Sequence, residues 1–169
     1  MRKIVELKNR TISQIVDEDG IINAARKITC NYRSSYIDEK AVIGKGTEIF
    51  FFVLIYGPAK IGDNVLVASY VSIQGEGTSI GSNSRIGDFT FIPAWTVIEE
   101  DCFLGQHCSL TNDKYPKAHN KEWKKSPVII RKGASIGSGC VILPGIEVGE
   151  NCVLGAGSVL TKNMPTNST

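Results

Sequence analysis

The hydrophobic positions of this chain follow a six-residue period. Between Ile130 and Leu160 an aliphatic residue returns at every sixth position, and glycine follows it directly at Gly137, Gly149 and Gly155. This period matches neither the 3.6-residue repeat of an amphipathic helix nor the two-residue repeat of one long strand. It is typical of a hexapeptide β-helix, in which each repeat is a short strand followed by a bend.

The same period extends through most of the chain. It starts at Ile37, gains one extra residue after Ile73, and is interrupted after Leu110 by a long insertion. The repeat aliphatics are Ile37, Ile43, Ile49, Ile55, Ile61, Val67, Ile73, Ile80, Ile86, Ile92, Ile98, Leu104, Leu110, Ile130, Ile136, Ile142, Val148, Leu154 and Leu160. With three hexads to a coil, the pattern predicts an all-β fold, a parallel β-helix of about six coils.

The pattern also sets the domain boundaries. Residues 1–36 carry no hexad, and we expect them to cap the open end of the solenoid, because exposed repeat ends need a polar-backed cover. Residues 37–165 form the repeat domain, with an inserted loop at 111–129. Residues 166–169 are a short tail.

Composition and charge narrow the function classes. The net charge of +2 is too small to favour nucleic acid as a partner, and 21% charged residues is ordinary for a soluble protein. No apolar run approaches the ~20 residues that span a bilayer. The basic N-terminus lacks the apolar core of a signal peptide, so we expect a cytoplasmic protein.

The cysteines are expected to be packed, reduced thiols. There are five, an odd number that excludes full internal pairing. Cys102, Cys108, Cys140 and Cys152 each lie four residues after a repeat aliphatic, where a small buried side chain is wanted. Their spacing is not that of metal ligands, so no metal site is expected.

Two groups of residues do not belong to the repeat core. The first is a set of apolar residues, some off the core-facing positions, which suggests burial against other subunits or, alternatively, extra core under the cap. Its members are Phe50, Phe51, Phe52, Leu54, Tyr56, Phe89, Phe91 and Trp95. The second is the inserted loop, which carries aromatic residues and a net positive charge. Such a loop suits an anionic ligand, although a merely solvated charged loop is the alternative.

The hexads resemble those of the left-handed β-helix acyltransferases, and three segments narrow the resemblance. They are FLGQHCSLTNDKYP (Phe103–Pro116), EWKKSPVIIRKGASIGSGCVILPG (Glu122–Gly145) and VGENCVLGAGSVLTKNMP (Val148–Pro165). Together they resemble the nucleotide-sugar N-acyltransferases, which acetylate the amine of a 3-amino sugar on the route to surface polysaccharide such as lipopolysaccharide. The resemblance implies a left-handed helix, a homotrimer with active sites between subunits, and acetyl-CoA as co-substrate.

N-acetyl transfer needs a base near the attacking amine, and the chain has only two histidines. His107 lies near a predicted corner just before the loop, so it is the candidate base; an ordinary exposed histidine is the alternative. His119, in the loop, is a candidate substrate contact. Asn112 and Asp113 begin the loop and are candidates for orienting the sugar or the amine, although an Asp there also serves turns.

The resemblance further implies binding roles. Tyr115 and Trp123 are expected to close the site over the sugar or the pantetheine, unless they only pack the loop. The expected contacts with coenzyme A are the phosphate partners Arg131, Lys132 and Lys162, and the pantetheine-channel residues Ala134, Gly155 and Ala156. The same small residues would also suit the repeat for steric reasons alone.

The chain departs from the family where the acceptor amine is expected. Relatives commonly have a polar His or Asn where this chain has Phe89, preceded by Asp88, and often a histidine where it has Phe50–Phe52. We therefore expect either a less polar acceptor, with Phe89 against it, or an amine that Asp88 or His107 handles. Two alternatives stay open: an O-acetyltransferase acting on a sugar or small alcohol, and a non-catalytic trimeric scaffold.

Overall fold

The computed structural model of the chain describes residues 29–30, 35–119 and 121–169, so the expected N-terminal cap lies almost wholly outside the described residues. The described strands are all two residues long. They are β1 (Thr29–Cys30), β2 (Tyr36–Ile37), β3 (Val42–Ile43), β4 (Glu48–Ile49), β5 (Leu54–Ile55), β6 (Lys60–Ile61), β7 (Leu66–Val67), β8 (Ser72–Ile73), β9 (Ser79–Ile80), β10 (Arg85–Ile86), β11 (Phe91–Ile92), β12 (Val97–Ile98), β13 (Phe103–Leu104), β14 (Ser109–Leu110), β15 (Ile129–Ile130), β16 (Ser135–Ile136), β17 (Val141–Ile142), β18 (Glu147–Val148), β19 (Val153–Leu154) and β20 (Val159–Leu160).

Each strand pairs in parallel with the third strand after it, which produces three sheets. Sheet 1 is β1-β4-β7-β10-β13-β16-β19, sheet 2 is β2-β5-β8-β11-β14-β17-β20, and sheet 3 is β3-β6-β9-β12-β15-β18. This is the predicted left-handed parallel β-helix of triangular section, and the fold prediction is confirmed. It has about 7 coils, because β1 pairs with β4 ahead of the first predicted hexad. No helix in the described part of the chain is long and apolar enough to cross a bilayer.

The repeat aliphatics form the core. The second residue of every strand from β2 onward is one of the predicted positions, and it points inward while the first residue points outward. Ile55, Ile92 and Ile136 are fully buried, whereas Ile37 and Leu160, at the two ends, are only partly buried. Burial of each such side chain contributes ~1.5–3 kcal/mol, so the stability of the helix accumulates coil by coil.

The position just before each strand is a second buried column, and it includes the four cysteines. Thr47 Oγ1 donates to the carbonyl of Gly62 in the next coil (2.8 Å), and Thr90 Oγ1 does the same to Gly105 (3.2 Å). Cys140 Sγ makes the equivalent bond to the carbonyl of Gly155 (3.1 Å). The thiols therefore replace Ser and Thr hydroxyls as inter-coil donors, and the prediction of packed, reduced thiols is confirmed for these four cysteines.

The corners between sheets contain backbone with positive φ, where one N–H donates to a carbonyl of the preceding coil, as Asn64 does to Lys45 (2.8 Å). The 3–1 corner, between sheets 3 and 1, holds Gly46, Asn64, Asn83, Asp101, Gly133, Asn151 and Asn167. The 2–3 corner holds Gly77, Trp95 and Gly145. The 1–2 corner holds Phe52, Tyr70, Phe89, His107, Gly139 and Gly157.

The buried thiols should not react in the folded protein. Burial raises the pKa of the Cys102 thiol to about 11, and burial also raises the pKa of Cys108. In a Cys30→Ser background, we expect no thiol to react with Ellman's reagent at pH 8 in the native state, and four to react in guanidinium chloride. A rapid native-state release of one or more equivalents would contradict this packing.

Candidate active site

The 1–2 corner carries a column of four stacked rings on successive coils. The Phe52 and Tyr70 centroids are 4.9 Å apart, Tyr70 and Phe89 are 4.7 Å apart, and Phe89 and His107 are 4.8 Å apart. The rings of the last two pairs are nearly parallel, with interplanar angles of 3° and 5°. Phe89 is 51% exposed and His107 is exposed, so the column lies on the surface.

These rings occupy an unfavourable backbone region. Phe52, Tyr70, Phe89 and His107 have φ of 57°, 61°, 58° and 58°. The left-handed region costs a bulky L-residue such as Phe or Tyr ~1–2 kcal/mol, whereas Gly enters it readily and Asn, Asp and His are enriched in it. The 3–1 corner uses only Gly, Asn and Asp. The 1–2 corner therefore holds aromatic side chains where the fold itself favours smaller ones.

On the two coils that follow His107, the equivalent corner position is glycine. The next two positions are Gly139 and Gly157, whose N–H groups donate to Gln106 O (2.7 Å) and Ser138 O (2.8 Å). A Cβ placed on Gly139 would meet only the Gly157 backbone, at 3.9 Å, and one on Gly157 would meet nothing within 4 Å. The aromatic column thus ends at His107, and the space beside the glycines of the next two coils is open.

Most of the polar groups near His107 are used in hydrogen bonds that hold the corner together. Its backbone N–H donates to the carbonyl of Asp88 (2.8 Å). The Asp88 carboxylate accepts the N–H of Ser69 (3.0 Å), so one of its oxygens supports the turn rather than facing a ligand. Gln106 and Ser138 hydrogen-bond to each other across the coils (2.7 Å). The ring contact with Phe89 is the only described interaction of the imidazole itself among the residues that the structure covers.

The inserted loop lies at a different corner. Residues 111–128 contain no strand among their described positions and connect β14 in sheet 2 to β15 in sheet 3. Trp123 packs on Trp95 at the 2–3 corner, with centroids 5.2 Å apart, and Lys125 Nζ lies 5.1 Å from the Trp95 ring centroid. Within one protomer Trp123 is therefore on the far side of sheet 2 from His107.

The start of the loop supplies an open pocket. Asn112 and Asp113 are half-buried, and Asp113 Oδ1 accepts the N–H of Tyr115 (3.1 Å). Tyr115 and His119 are exposed. A shallow pocket of about 350 Å³ is lined by Asp113, Lys114, Tyr115, Glu122, Lys124 and Ser126. Its mixed charge does not by itself select an anion.

Two expected phosphate partners are engaged in ion pairs near the 3–1 corner. Arg131 contacts Glu99 and Glu147, both at 2.8 Å, and its hydrogen bond holds the pKa of Glu147 below the usual value. Lys132 Nζ lies 3.1 Å from Glu100 Oε1 and 3.6 Å from Asp101 Oδ2. These carboxylates would compete with a phosphate for both cations.

The structure thus sorts the predicted site residues into groups. Asp88, Phe89, His107, Gly155 and Ala156 share the 1–2 corner, and Lys162 is exposed just after β20 of sheet 2. Ala134 is fully buried before β16, so its side chain lines the core rather than a channel. Sequence reasoning missed Tyr70, Gly139 and Gly157, because the extra residue after Ile73 and the inserted loop change the spacing between equivalent positions of successive coils.

Comparison with known proteins supports the acyltransferase resemblance. Residues 127–162 match the bacterial transferase hexapeptide (six repeats) family, and residues 58–87 match the hexapeptide repeat of succinyl-transferase. The bifunctional protein GlmU of Thermotoga maritima is 27% identical over 99% of this chain and 44% of its own length. Galactoside O-acetyltransferase of Escherichia coli is 33% identical over 64% of this chain and 57% of its own length. The chain spans about half the length of these relatives.

A solved structure supports the fold. The D94A mutant of AntD, an N-acyltransferase from Bacillus cereus in complex with dTDP and coenzyme A, superposes with a TM-score of 0.56. It is 20% identical, over 79% of this chain and 76% of its own. Together with the two family-model matches and the curated relatives, this confirms the predicted resemblance to the hexapeptide-repeat acyltransferases.

The Trp95–Trp123 contact should hold the loop against the coil. Replacing Trp123 with Ala removes the described aromatic contact, so trypsin should cleave the lysine-rich segment 114–125 at least ~5-fold faster, because proteolysis follows local opening. Trp123→Phe retains a ring and is the matched control. Equal cleavage rates for the wild type and Trp123→Ala would show that other contacts order the loop.

Proposed function

We propose that this hexapeptide-repeat chain is an acetyl-CoA-dependent N-acetyltransferase acting on the amino group of a nucleotide-linked amino sugar. The observation that carries the proposal is the position of His107. Its imidazole ends an aromatic column and is followed on the next two coils by Gly139 and Gly157. A base beside open space that can admit the acceptor amine is what amine acylation requires.

The open space beside the two glycines that follow His107 suits the acyl donor. A thioester and pantetheine arm are thin, and the exposed Gly155, Ala156 and Gly157 leave backbone accessible to them. AntD, which shares this fold, was solved with dTDP and coenzyme A, and this favours the same two ligand classes here. Lys162 is exposed without an ion-pair partner among the described residues, so it is better placed for a phosphate than Arg131 or Lys132.

In the proposed reaction the acceptor amine, in its neutral form, attacks the thioester carbonyl carbon. A C–N bond forms, and the carbonyl π electrons move to oxygen to give a tetrahedral oxyanion, which N–H donors stabilise. His107 takes the proton that the nitrogen loses. Collapse of the intermediate breaks the C–S bond, and the departing coenzyme A sulfur receives a proton from the imidazolium. Holding both substrates at this corner contributes by proximity.

The division of the site between two corners favours a homotrimer. Asn112, Asp113 and Trp123 lie beyond the opposite edge of sheet 2 from His107. The outward positions of the sheet 2 strands are uncharged: Tyr36, Leu54, Ser72, Phe91, Ser109, Val141 and Val159. A sheet face without charges suits burial against another copy, which would carry its loop to the His107 corner of the neighbouring protomer.

A shared site can be tested by mixing two inactive proteins. A His107→Asn protomer and an Asn112→Ala/Trp123→Ala protomer each lack one half of the site. Co-expressed as mixed trimers, they should regain about a quarter of the wild-type sites, because random association pairs intact halves at that frequency. The two parental homotrimers, separated from the mixed trimers by different affinity tags, are the inactive controls. Mixed trimers with no recovered activity would contradict the shared site.

An O-acetyltransferase is the second candidate, favoured by the similarity to galactoside O-acetyltransferase. The same base can accept a proton from a hydroxyl group, so His107 does not discriminate between the two reactions. Acceptors do: turnover of an amino sugar nucleotide and not of its hydroxy counterpart supports N-acetylation, and the reverse result supports O-acetylation. Failure of acetyl-CoA to raise the Tm at all would favour the scaffold.

His107→Asn is the sharpest single substitution for the catalytic proposal. Asn accepts the positive φ of this position, so the turn should be retained while the base is lost. We expect kcat to fall at least ~100-fold, with the Tm increase caused by acetyl-CoA preserved. Turnover close to that of the wild type would remove His107 from the mechanism and leave proton loss to the substrate or solvent.

A further inference from the structure

We propose that Phe89 is the positioning residue of the base: its ring fixes the plane of the His107 imidazole, and Tyr70 and Phe52 fix Phe89 in turn. This inference rests on the proposed function, because it assigns the role of His107 as base. It also accounts for an aromatic residue at a place where a polar amine contact was expected.

The geometry carries the first step. The Phe89 and His107 rings are 4.8 Å apart and inclined by only 5°, and the Tyr70 and Phe89 rings are inclined by 3°. Rotation of an imidazole about its Cβ–Cγ bond is otherwise broad. Turning it out of the stacked plane would lose the parallel contact with Phe89, which is a favourable aromatic arrangement. The stack therefore selects one imidazole plane.

The described surroundings offer no second means of orientation. Among the residues that the structure covers, none makes a hydrogen bond or ion pair with the imidazole, and its one described contact is the stacking on Phe89. A histidine oriented by a carboxylate uses one ring nitrogen for that bond. Orientation through a ring face instead leaves both nitrogens free for the acceptor and the leaving group.

The backbone strain gives the second, independent argument. Four consecutive coils hold Phe52, Tyr70, Phe89 and His107 at positive φ, although Asn, Asp and Gly fill the equivalent places of the 3–1 corner. Residues held in such sparsely populated regions concentrate at functional sites. The left-handed conformation directs each of the four side chains outward, and the register of the stacked coils places the rings in one column.

The column is also one-sided. The upper face of the imidazole is covered by Phe89, whereas the lower side faces Gly139 and Gly157, where no side chain follows. A ring covered on one face and open on the other is held in place without being shielded from substrate. Phe89 thus acts on the reaction through His107.

Phe89→Asn is the informative variant, because Asn accepts positive φ and removes the ring. We expect kcat to fall ~10-fold while the KM for acetyl-CoA stays within about 2-fold, since the base is present but occupies its productive plane for a fraction of the time. The Tm should stay within about 4 °C of wild type, because loss of the stack is offset by relief of strain. Phe89→Tyr should retain wild-type kcat, as should Phe103→Leu, an exposed aromatic of the neighbouring strand outside the column.

A spectroscopic readout separates this proposal from the catalytic one. The carbon-bound imidazole protons of His107, assigned by their loss in His107→Asn, should be shifted upfield by the Phe89 ring current. They should move toward free-histidine values in Phe89→Asn and stay in Phe89→Tyr. Wild-type kcat in Phe89→Asn, or unshifted protons in the wild type, would overturn the proposal. If His107→Asn retains turnover but the ring-current shift is present, the base assignment fails while the stack stands.

Discussion

Coil-on-coil stacking is the constraint on which the rest of this structure depends. A two-residue strand has too few hydrogen bonds to persist alone, so each coil is stable only through the parallel pairs and the buried aliphatic column that it shares with its neighbours. Because the coils stay in register, a residue type placed at one corner recurs directly above and below itself. Side chains therefore act as columns rather than as isolated groups.

The three corners make different use of this property. The 3–1 corner forms a ladder of Asn, Asp and Gly that suits positive φ, with Asn83 Nδ2 donating to Asp101 Oδ1 (3.2 Å). The 2–3 corner anchors the inserted loop through Trp95. The 1–2 corner carries aromatic rings and His107, at a conformational cost. The 2–3 corner has one bulky residue at positive φ, Trp95, whereas the 1–2 corner, where the candidate chemistry lies, has four.

The charged side chains are also distributed unevenly around the helix. Arg131 and Lys132 are paired with carboxylates from the coils above and below, which joins the coils on the side of the molecule away from His107. Exposed pairs of this kind contribute little to stability, because solvent screens the attraction between the charges. The strand positions of sheet 2, in contrast, face outward without charge. The charge distribution thus separates a solvated edge from a face suited to subunit contact.

The sequence by itself determined the solenoid, because each hexad contains its own aliphatic residue for the core and its own bend. It also determined the inserted loop, the buried cysteine positions and the candidate base. Only the tertiary structure decided which residues share a corner, since this depends on the phase that the extra residue after Ile73 and the insertion at 111–128 impose on later coils. It placed Arg131 against Glu99 and Glu147, and His107 on Phe89, because these contacts join residues from successive coils. The roles of the site residues and of the N-terminal segment stay predictions.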